Sequence, residues 1–457
     1  MIMDINIPKW VSVQTWKTKN NSVIAYAFNH KTNLFFEFEG LSAILWRYIL
    51  DENHSKILDF VKENCLEKEI EVFFEELASN GLLSFNKENA AKDCQEHSGN
   101  SDASSFINDF MLGARWDFFA KNGYLLNLFL ELTYDCNLKC IHCLNDKHCN
   151  EYIKFEDIKP VIDEARALGV FFMTLSGGEC TLNKDFVKIA EYIRETKSAL
   201  QIFTNGQVLY DNNDLFDKLI SLYPFQIALS LYGMKPEIHE KITGVKGSYH
   251  KTMSIIKRLK EKNINVRVNS FFTRYNASEY EALHDFCENN GLNFNAGFNL
   301  MYNPDKSNRH LRIESSQLEK LYRMDEKLLA KKRIKPADYE KFKDEGICRT
   351  GYVGLRINPK SEIFICSAIK TVLGNIKDTS LESILKLKNL KFNKIRELKH
   401  SDLKDCNKYD YCRYCTYCIG IAQDDGYYLK PYSLFCEEAK IRMKVAESCG
   451  VCSDLHK

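Results

Sequence analysis

The fold of this chain is decided by the stretch Leu132-Thr-Tyr-Asp-Cys-Asn-Leu-Lys-Cys-Ile-His-Cys143, which continues an apolar run that begins at Tyr124. Its cysteines are Cys136, Cys140 and Cys143. Three thiolates at this spacing on one loop can bind three irons of a [4Fe–4S] cube and leave the fourth iron open to a non-protein ligand. A structural zinc site is the alternative, but it normally has a fourth Cys or His and pairs its ligands as C-x2-C. The spacing therefore favours an iron–sulfur cluster with an open iron.

A second motif follows about one strand–helix unit later, where the strand-like run 170–175 leads into Ser176-Gly-Gly-Glu-Cys180. Glycines at a strand end let the backbone approach a ligand closely, and a neighbouring carboxylate suits an amino group. Taken alone, these residues would be an ordinary glycine-rich turn. Their position behind the three-cysteine motif makes Gly177, Gly178 and Glu179 candidate binding residues instead.

The chain from 124 to 300 alternates between two apolar patterns. Strand-like runs occur at 124–132, 170–175, 200–204, 225–231, 264–272 and 292–300. Apolar residues spaced by three and four lie between them, at 158–168, 186–193, 215–222, 249–259 and 280–287. Such alternation predicts parallel βαβ units, with the chemistry at the carboxyl ends of the strands. Polar candidates at these ends are Thr204, Asn205, Ser230 and Asn269.

The two motifs in this context resemble those of the radical S-adenosylmethionine (SAM) enzymes, whose signature is C-x3-C-x-(aromatic or His)-C after the first barrel strand. The resemblance implies an α/β fold with a partial (β/α)6 barrel. It also implies a [4Fe–4S] cluster on the three cysteines and SAM held through its methionine amine by Gly177, Gly178 and Glu179. SAM ribose or carboxylate contacts would come from Thr204, Asn205, Ser230 and Asn269, although polar residues at strand ends are more often turn caps. Cys180 stands where the family usually has proline.

A second concentration of cysteines lies beyond the barrel, at Cys348, Cys366, Cys406, Cys412, Cys415, Cys418 and Cys436. The N-terminus lacks a basic stretch followed by an apolar one, and no apolar run reaches transmembrane length. We therefore expect a reducing, cytoplasmic compartment, in which metal ligation is favoured over disulfides. The C-x2-C spacings at 412–415 and 415–418 would also suit a zinc knuckle.

The segments 348–351, 356–366 and 374–376 resemble the SPASM extension of radical SAM enzymes, which carries auxiliary iron–sulfur clusters. This chain departs from the family pattern, because Tyr409 occupies a usual cysteine position, Cys412 is the substitute and Ser361 replaces a usual glycine. The resemblance implies two auxiliary [4Fe–4S] clusters. One would use Cys348, Cys366 and Cys418, which leaves one iron open to a substrate thiolate. The other would use Cys406, Cys412, Cys415 and Cys436.

The N-terminal ninety residues form a separate winged-helix-like α+β unit in this interpretation, with strands at 23–28 and 33–38 and helices at 42–50, 54–64 and 70–80. DNA binding is disfavoured, because the unit holds nine Lys or Arg against thirteen Asp or Glu. The segments 41–50 and 77–83 resemble PqqD-like recognition domains, in which a leader peptide adds a strand to the small sheet. A capping domain without a ligand is the alternative.

The domain layout expected from these patterns is a recognition domain at 1–90, a polar linker at 91–115, the barrel at 116–310, a helical bridge at 311–345 and the SPASM domain at 346–457. A net charge of only +1 indicates neither nucleic acid nor membrane as a partner. Cys65 and Cys287 lie in apolar helical patterns and are expected in cores, and Cys94 is expected to face solvent. No role is assigned to Cys149, Cys180, Cys449 and Cys452.

The resemblance implies a radical SAM oxidoreductase that abstracts hydrogen from a ribosomally made precursor peptide through a 5′-deoxyadenosyl radical. The room for a substrate thiolate favours thioether crosslinking. Carbon–carbon crosslinking, epimerisation and formylglycine formation in a sulfatase would use much the same parts. An electron donor such as flavodoxin or ferredoxin is implied. The rival class is a non-enzymatic metal-sensing regulator with zinc or a single cluster, no SAM cleavage and affinity for DNA.

Overall fold

The computed structural model describes residues 5–18, 20–51, 54–64, 66–85, 119, 122, 124–145, 151–303, 305–328, 340, 343–344, 346–348, 354–388, 394–395 and 397–448. The whole of the expected linker, together with Cys65, Cys94, Cys149, Cys449 and Cys452, lies outside these residues. The predicted mixed α/β class with a parallel sheet is confirmed. Within the described ranges, no helix combines the length and apolar character needed to cross a bilayer.

Twelve strands are described. They are β1 (Val11–Lys17), β2 (Val23–Asn29), β3 (Leu34–Glu39), β4 (Asn127–Glu131), β5 (Phe172–Ser176), β6 (Ala199–Thr204), β7 (Gln226–Ser230), β8 (Val266–Phe271), β9 (Asn293–Gly297), β10 (Gly354–Ile357), β11 (Glu362–Phe364) and β12 (Gly374–Asn375).

The α-helices in the described ranges surround these strands. They are α1 (Gly40–Leu50), α2 (His54–Glu63), α3 (Glu67–Ser79), α4 (Phe155–Ala167), α5 (Phe186–Glu195), α6 (Gln207–Asp211), α7 (Asn213–Ser221), α8 (Pro236–Thr243), α9 (Ser248–Glu261), α10 (Tyr280–Asn289), α11 (Ser315–Leu328), α12 (Leu381–Ser383), α13 (Ile419–Asp424) and α14 (Ser433–Ser448).

The central sheet has the order β12-β11-β10-β4-β5-β6-β7-β8-β9. Strands β4 to β9 are all parallel and adjacent in chain order, so each apolar run predicted as a barrel strand forms one. Their helix-facing side chains fill one large core with the apolar faces of α4, α5, α7, α9 and α10. Cys287 is buried in this core, as expected. The carboxyl ends of the six strands therefore meet at one edge of the barrel.

The sheet extends beyond the barrel in a way that the sequence does not predict. Strand β10, from the C-terminal region, pairs in parallel with the first barrel strand β4. It then pairs with β11 in antiparallel fashion. The turn between them contains Ser361 at φ 65°, a conformation that favours glycine and explains why the resembling family has glycine there. The C-terminal domain is thus joined to the barrel by continuous backbone hydrogen bonds.

The N-terminal unit contains three antiparallel strands in the order β1-β2-β3, packed against α1 to α3. The expectation of two strands is wrong, because Val11–Lys17 forms a further strand beside β2. All but two of its residues are buried, so it lacks the alternation that marks a half-exposed strand. Burial on both faces follows from its position between the N-terminal helices and the barrel.

The small sheet packs on the amino-terminal ends of the barrel strands, opposite the three-cysteine motif. An aromatic cluster at this contact joins Trp16 of β1 to residues that open β5 and β7. Trp16 Nε1 donates to the carbonyl of Gly169 at 2.9 Å. The guanidinium of Arg194 donates to the carbonyl of Lys9 at 2.8 Å and to the hydroxyl of Ser12. This contact leaves the carboxyl edge of the barrel uncovered by the N-terminal unit.

Only part of the expected helical bridge is described, as α11. It packs against α14, where Tyr322 donates to the carboxylate of Glu438. Lys444 of α14 bonds to Glu319 of α11 at 2.8 Å. The two helices therefore bind the C-terminal domain to the segment that leaves the barrel.

Candidate cluster and cofactor site

The three-cysteine motif lies in a loop of residues 132–145 that leaves the carboxyl end of β4; this is the cysteine loop. Its backbone is tied to the end of α8, because Lys139 N donates to Thr243 O at 2.8 Å and Ile141 N donates to Ile242 O at 3.0 Å. Gly244 follows at φ 69°, where an added Cβ would lie 2.8 Å from Lys139 O. A glycine is therefore needed for the close approach that holds the loop.

Donor groups converge on the first thiol of the loop. Leu138 N lies 3.4 Å and Asn205 Nδ2 3.6 Å from Cys136 Sγ. Burial raises the pKa of Cys136 to about 11, and the charges of Glu179 and Cys143 add to that shift. A thiol in such a place stays protonated until a metal ion displaces the proton. The nearby N–H groups then stabilise the sulfur in its metal-bound form.

The spacing of the sulfurs tests which metal fits. Among the described residues, no three cysteine sulfurs lie within 4.8 Å of one another. Tetrahedral zinc with Zn–S bonds of about 2.3 Å would draw its sulfurs to about 3.8 Å. An iron–sulfur cube binds each cysteine at a separate corner and so needs more widely spaced sulfurs. The all-thiolate donor set suits an iron–sulfur cluster, and the sulfurs do not stand at the separation that one zinc ion would impose.

The histidine of the three-cysteine motif, His142, is enclosed by aromatic rings. His142 lies 4.8 Å from the ring of Tyr232 and 5.9 Å from that of Phe271, measured between ring centres. Burial lowers the pKa of His142 to about 4. The neutral ring therefore fills space between the cysteine loop and the ends of β7 and β8.

The Gly-Gly turn crosses the backbone of the cysteine loop. Gly178 N donates to Thr133 O at 2.7 Å. A Cβ added to Gly177, which has φ 138°, would lie 2.1 Å from Thr133 O, and one added to Gly178 would lie 2.4 Å from Asp135 O. Both distances are shorter than any real contact of a Cβ atom. The glycines are therefore required by the fold of the site, whatever ligand it holds.

The carboxylate of Glu179 is fully buried and hydrogen-bonded to protein donors. Oε1 accepts bonds from Thr181 N at 3.2 Å and from the hydroxyl of Thr204 at 2.7 Å, and Oε2 accepts one from Asn205 N at 2.7 Å. Burial raises the pKa of this carboxyl group. Glu179 thus ties the end of β5 to the end of β6.

The four polar residues at strand ends differ in their surroundings. Asn205 is nearest to the cysteine loop, since Nδ2 also donates to Asn137 Oδ1 at 2.7 Å. The hydroxyl of Thr204 is occupied by Glu179 and by Gly206 N, as in an ordinary turn cap. Ser230 and Asn269 are partners across β7 and β8. The structure thus places Asn205 beside Cys136, Thr204 against Glu179, and Ser230 and Asn269 side by side on β7 and β8.

The C-terminal cysteines fall into two groups. Burial raises the pKa of Cys366, and Cys348 and Cys418 add to the shift; these three form the distal trio. Burial raises the pKa of Cys415 to about 12, with further contributions from neighbouring thiols of the same group. That group, the distal quartet, consists of Cys406, Cys412, Cys415 and Cys436. Tyr409, at the usual cysteine position, is 62% exposed.

A cavity of about 390 Å³ lies between the cysteine loop and the distal trio. Its lining includes Leu144 and Asn145, directly after Cys143, and Ser367 and Ala368, directly after Cys366. One space thus borders the end of the cysteine loop and the residues that follow Cys366 of the distal trio. The sequence motifs alone do not predict it, because its walls come from β4, β10, β11 and the segment after β9.

An ion pair in the wall of this cavity was not identified from the sequence. Arg356 Nη1 donates to both carboxylate oxygens of Glu131, at 3.0 and 2.9 Å. Tyr134 donates to the same carboxylate at 2.8 Å, and the guanidinium lies 4.4 Å from the ring centre of Phe364. The hydroxyl of Tyr302, which also lines the cavity, is buried without a partner among the described residues. Glu131 belongs to an apolar run, so only the pairing of β4 with β10 reveals its partner.

Comparison with known proteins identifies two domains. Residues 130–287 match the radical SAM superfamily, and residues 348–418 match the iron–sulfur cluster-binding domain called SPASM. The sporulation killing factor maturation protein SkfB of Bacillus subtilis is 27% identical over 262 residues, covering 56% of this chain and 63% of SkfB. AlbA, a subtilosin biosynthesis protein of the same organism, is 26% identical and covers 57% and 59%. The chain thus matches less than two thirds of each relative's length.

Solved structures extend the similarity of fold to most of the chain. Streptococcus suis SuiB, solved with the precursor peptide SuiA, has a TM-score of 0.58 at 16% identity and covers 92% of this chain and 97% of SuiB. The structure of anSMEcpe with AdoMet and a peptide has a TM-score of 0.56 at 16% identity and covers 72% and 98%.

The two domain matches agree with the motifs and with the fold. Together they imply a [4Fe–4S] cluster, auxiliary clusters and bound SAM. The predicted radical SAM and SPASM domains are confirmed by matches that begin just before the cysteine loop and end at the last member of the distal trio. The chain contains a radical SAM domain followed by an iron–sulfur cluster-binding SPASM domain.

Proposed function

We propose that this chain is a peptide maturase that forms thioether crosslinks in a ribosomally made precursor. The observation that carries the proposal is the single cavity bordered by both the cysteine loop and the distal trio. Two of the relatives are named for the maturation or biosynthesis of peptide products.

Cys136, Cys140 and Cys143 would hold the first cluster, and SAM would lie at its open iron. Together these cofactors supply the one-electron chemistry that removes a hydrogen atom from a peptide residue. The chain itself contributes binding and enclosure. Asn205 and Leu138 N orient the thiolate of Cys136, and the Gly-Gly turn brings backbone next to the loop. The walls of the cavity shield part of the substrate from water and solvent reductants.

The C-terminal cysteines would hold two auxiliary clusters. The distal quartet supplies four ligands, whereas the distal trio supplies three, so one iron there would be free for a substrate thiolate. The trio borders the cavity through Ser367 and Ala368. A substrate cysteine could therefore reach that iron while another residue of the same peptide lies near the cysteine loop. This arrangement favours a thioether over a carbon–carbon crosslink, an epimer or a formylglycine.

The N-terminal unit would recognise the leader of the precursor as a PqqD-like domain. Strand β3 is bonded to β2 on one side only within the described residues, and its other edge can accept a further strand. Phe36 and Phe38 are half-buried beside Phe73 of α3, which offers pockets for alternate side chains. We also infer that an external flavodoxin or ferredoxin supplies the electron, and that the domain boundaries follow the layout expected from the sequence.

Anaerobic reconstitution followed by two measurements tests the function. Three cubes would give about twelve irons per chain, and the reduced protein would convert SAM to 5′-deoxyadenosine. With its precursor peptide as the substrate, each crosslink should lower the peptide mass by two hydrogens. An unchanged mass with altered stereochemistry would contradict crosslinking, and stoichiometric zinc without iron would refute the enzyme itself.

A further inference from the structure

The outer edge of β3 is unusually well suited to pair with another strand. Natural edge strands are commonly protected by lysine, proline or a bulge. The sequence of β3, Leu-Phe-Phe-Glu-Phe-Glu, contains neither lysine nor proline. Its pairing with β2 runs without interruption from Leu34 to Glu39, so it has no bulge. The edge is therefore an open template for an extended segment.

Helix α3 borders this edge with a stripe of apolar and acidic side chains. Phe73 contacts Phe38 of β3, with ring centres 6.3 Å apart. Glu69, Val72 and Glu76 share one helical face with Phe73, because the four residues have the spacing i, i+3, i+4, i+7. Val72 is 57% exposed, which is high for a valine, and both glutamates are exposed. An apolar strip between two carboxylates thus faces solvent beside the edge.

The opposite face of the edge is also acidic. Alternate residues of a strand point to opposite faces, so Phe36 and Phe38 face the helices while Glu37 and Glu39 share the other face. Both glutamates are exposed. Glu39, Glu69 and Glu76 form no ion pair with any side chain that the structure describes. A strand added at this edge would therefore meet carboxylates on both faces.

We propose that the segment recognised here is a basic and apolar strand, with Lys or Arg at two positions two residues apart opposite Glu37 and Glu39. The residues between them would be apolar and would pack on Val72 and Phe73. This inference rests on the proposed leader recognition and specifies the chemistry of the leader. Opposite charges in directly facing cross-strand positions favour pairing, and like charges disfavour it.

The same charges argue against a second copy of the chain as the occupant. Two β3 edges paired with each other would bring Glu37 and Glu39 close to the same carboxylates of the partner strand. Like charges in facing positions weaken such a pair. A nucleic acid is disfavoured in the same way, because its phosphates would approach a surface of carboxylates.

Fluorescence anisotropy with the full-length chain tests the proposal. The probes are two fluorescein-labelled twelve-residue peptides of alternating pattern, one with Lys and one with Glu at every second position and Val or Leu between. At low salt the Lys peptide should bind at least about tenfold more tightly, since each facing charge pair contributes about two- to fivefold. Its affinity should fall as salt rises.

Two double variants provide the control. Glu37→Lys with Glu39→Lys should reverse the preference between the peptides. Asp59→Lys with Glu63→Lys makes the same charge change on exposed positions of α2 and should leave it unaltered. Equal binding of both peptides, binding of neither, or identical behaviour of the two double variants would overturn the inference. SAM cleavage, measured as 5′-deoxyadenosine, does not depend on this edge. A chain that cleaves no SAM would therefore count against the proposed enzyme and not against this inference.

Discussion

Replacing Gly177 by alanine should disturb the cysteine loop more than the rest of the fold. The residue adopts φ 138°, and a side chain at such a φ costs about 1–3 kcal/mol. An added Cβ would also lie 2.1 Å from Thr133 O, a backbone atom that cannot rotate away. Overpacking of this kind typically costs about 1–3 kcal/mol more. We expect a total loss of about 2–6 kcal/mol, or a displaced loop.

Gly291→Ala is the matched control, because Gly291 has φ 62° but no atom within 4 Å of an added Cβ. Its free energy of unfolding should fall only by the cost of placing a side chain at a positive φ, about 1–2 kcal/mol. Urea unfolding of both variants gives their free energies of unfolding. The iron and sulfide content after reconstitution shows whether the cysteine loop still binds its cluster. If the cysteine loop is displaced while the rest of the fold is unchanged, the Gly177 variant should unfold like the control but bind about four fewer irons. Equal stability together with equal iron content in the two variants would refute the reasoning.

Four further outcomes are expected. Alanine at all three cysteines of the loop should abolish 5′-deoxyadenosine formation while leaving the auxiliary irons in place, as measured by chromatography and iron analysis. Cys366→Ala should still form some 5′-deoxyadenosine but no crosslinked peptide, as seen by mass spectrometry; a crosslinked product would argue against a role for the distal trio. Arg194→Ala should lower the free energy of unfolding by about 2–4 kcal/mol, because it leaves the carbonyl of Lys9 without its buried donor. Burial and the nearby Arg194 hold the pKa of His30 well below its usual value, so this side chain stays neutral in the folded state. The unfolded chain takes up the proton below pH ~6.5, so stability should be full above that pH and fall as the pH drops below it; His30→Gln should flatten this slope in urea titrations.

Much of the barrel could be predicted because its signals are local. Each strand from β4 to β9 is a short apolar run followed by a helix with apolar spacing of three and four, and both patterns survive in one segment of sequence. The cysteine loop is equally local. The grouping of the distal cysteines into a trio and a quartet was implied by resemblance to a family pattern, and the structure brings the same residues together.

The features that could not be predicted depend on pairing between distant segments. Strand β1 is buried on both faces and so lacks the alternation of an exposed strand. Arg356 has no visible partner in the sequence until β10 is placed beside β4, which brings Glu131 within hydrogen-bond distance. The enclosed position of Glu179 likewise depends on Thr204 and Asn205 arriving from the next strand.

The pairing of β10 with β4 has a consequence for how the chain is made. Asn127 emerges from the ribosome long before Gly354, its partner in the parallel ladder. Until then the first barrel strand has an open edge directly before the cysteine loop, and such edges promote association between nascent or truncated chains. Contacts between segments so far apart also slow folding. A barrel expressed without its C-terminal domain should therefore aggregate, even though every one of its own helices and strands is present.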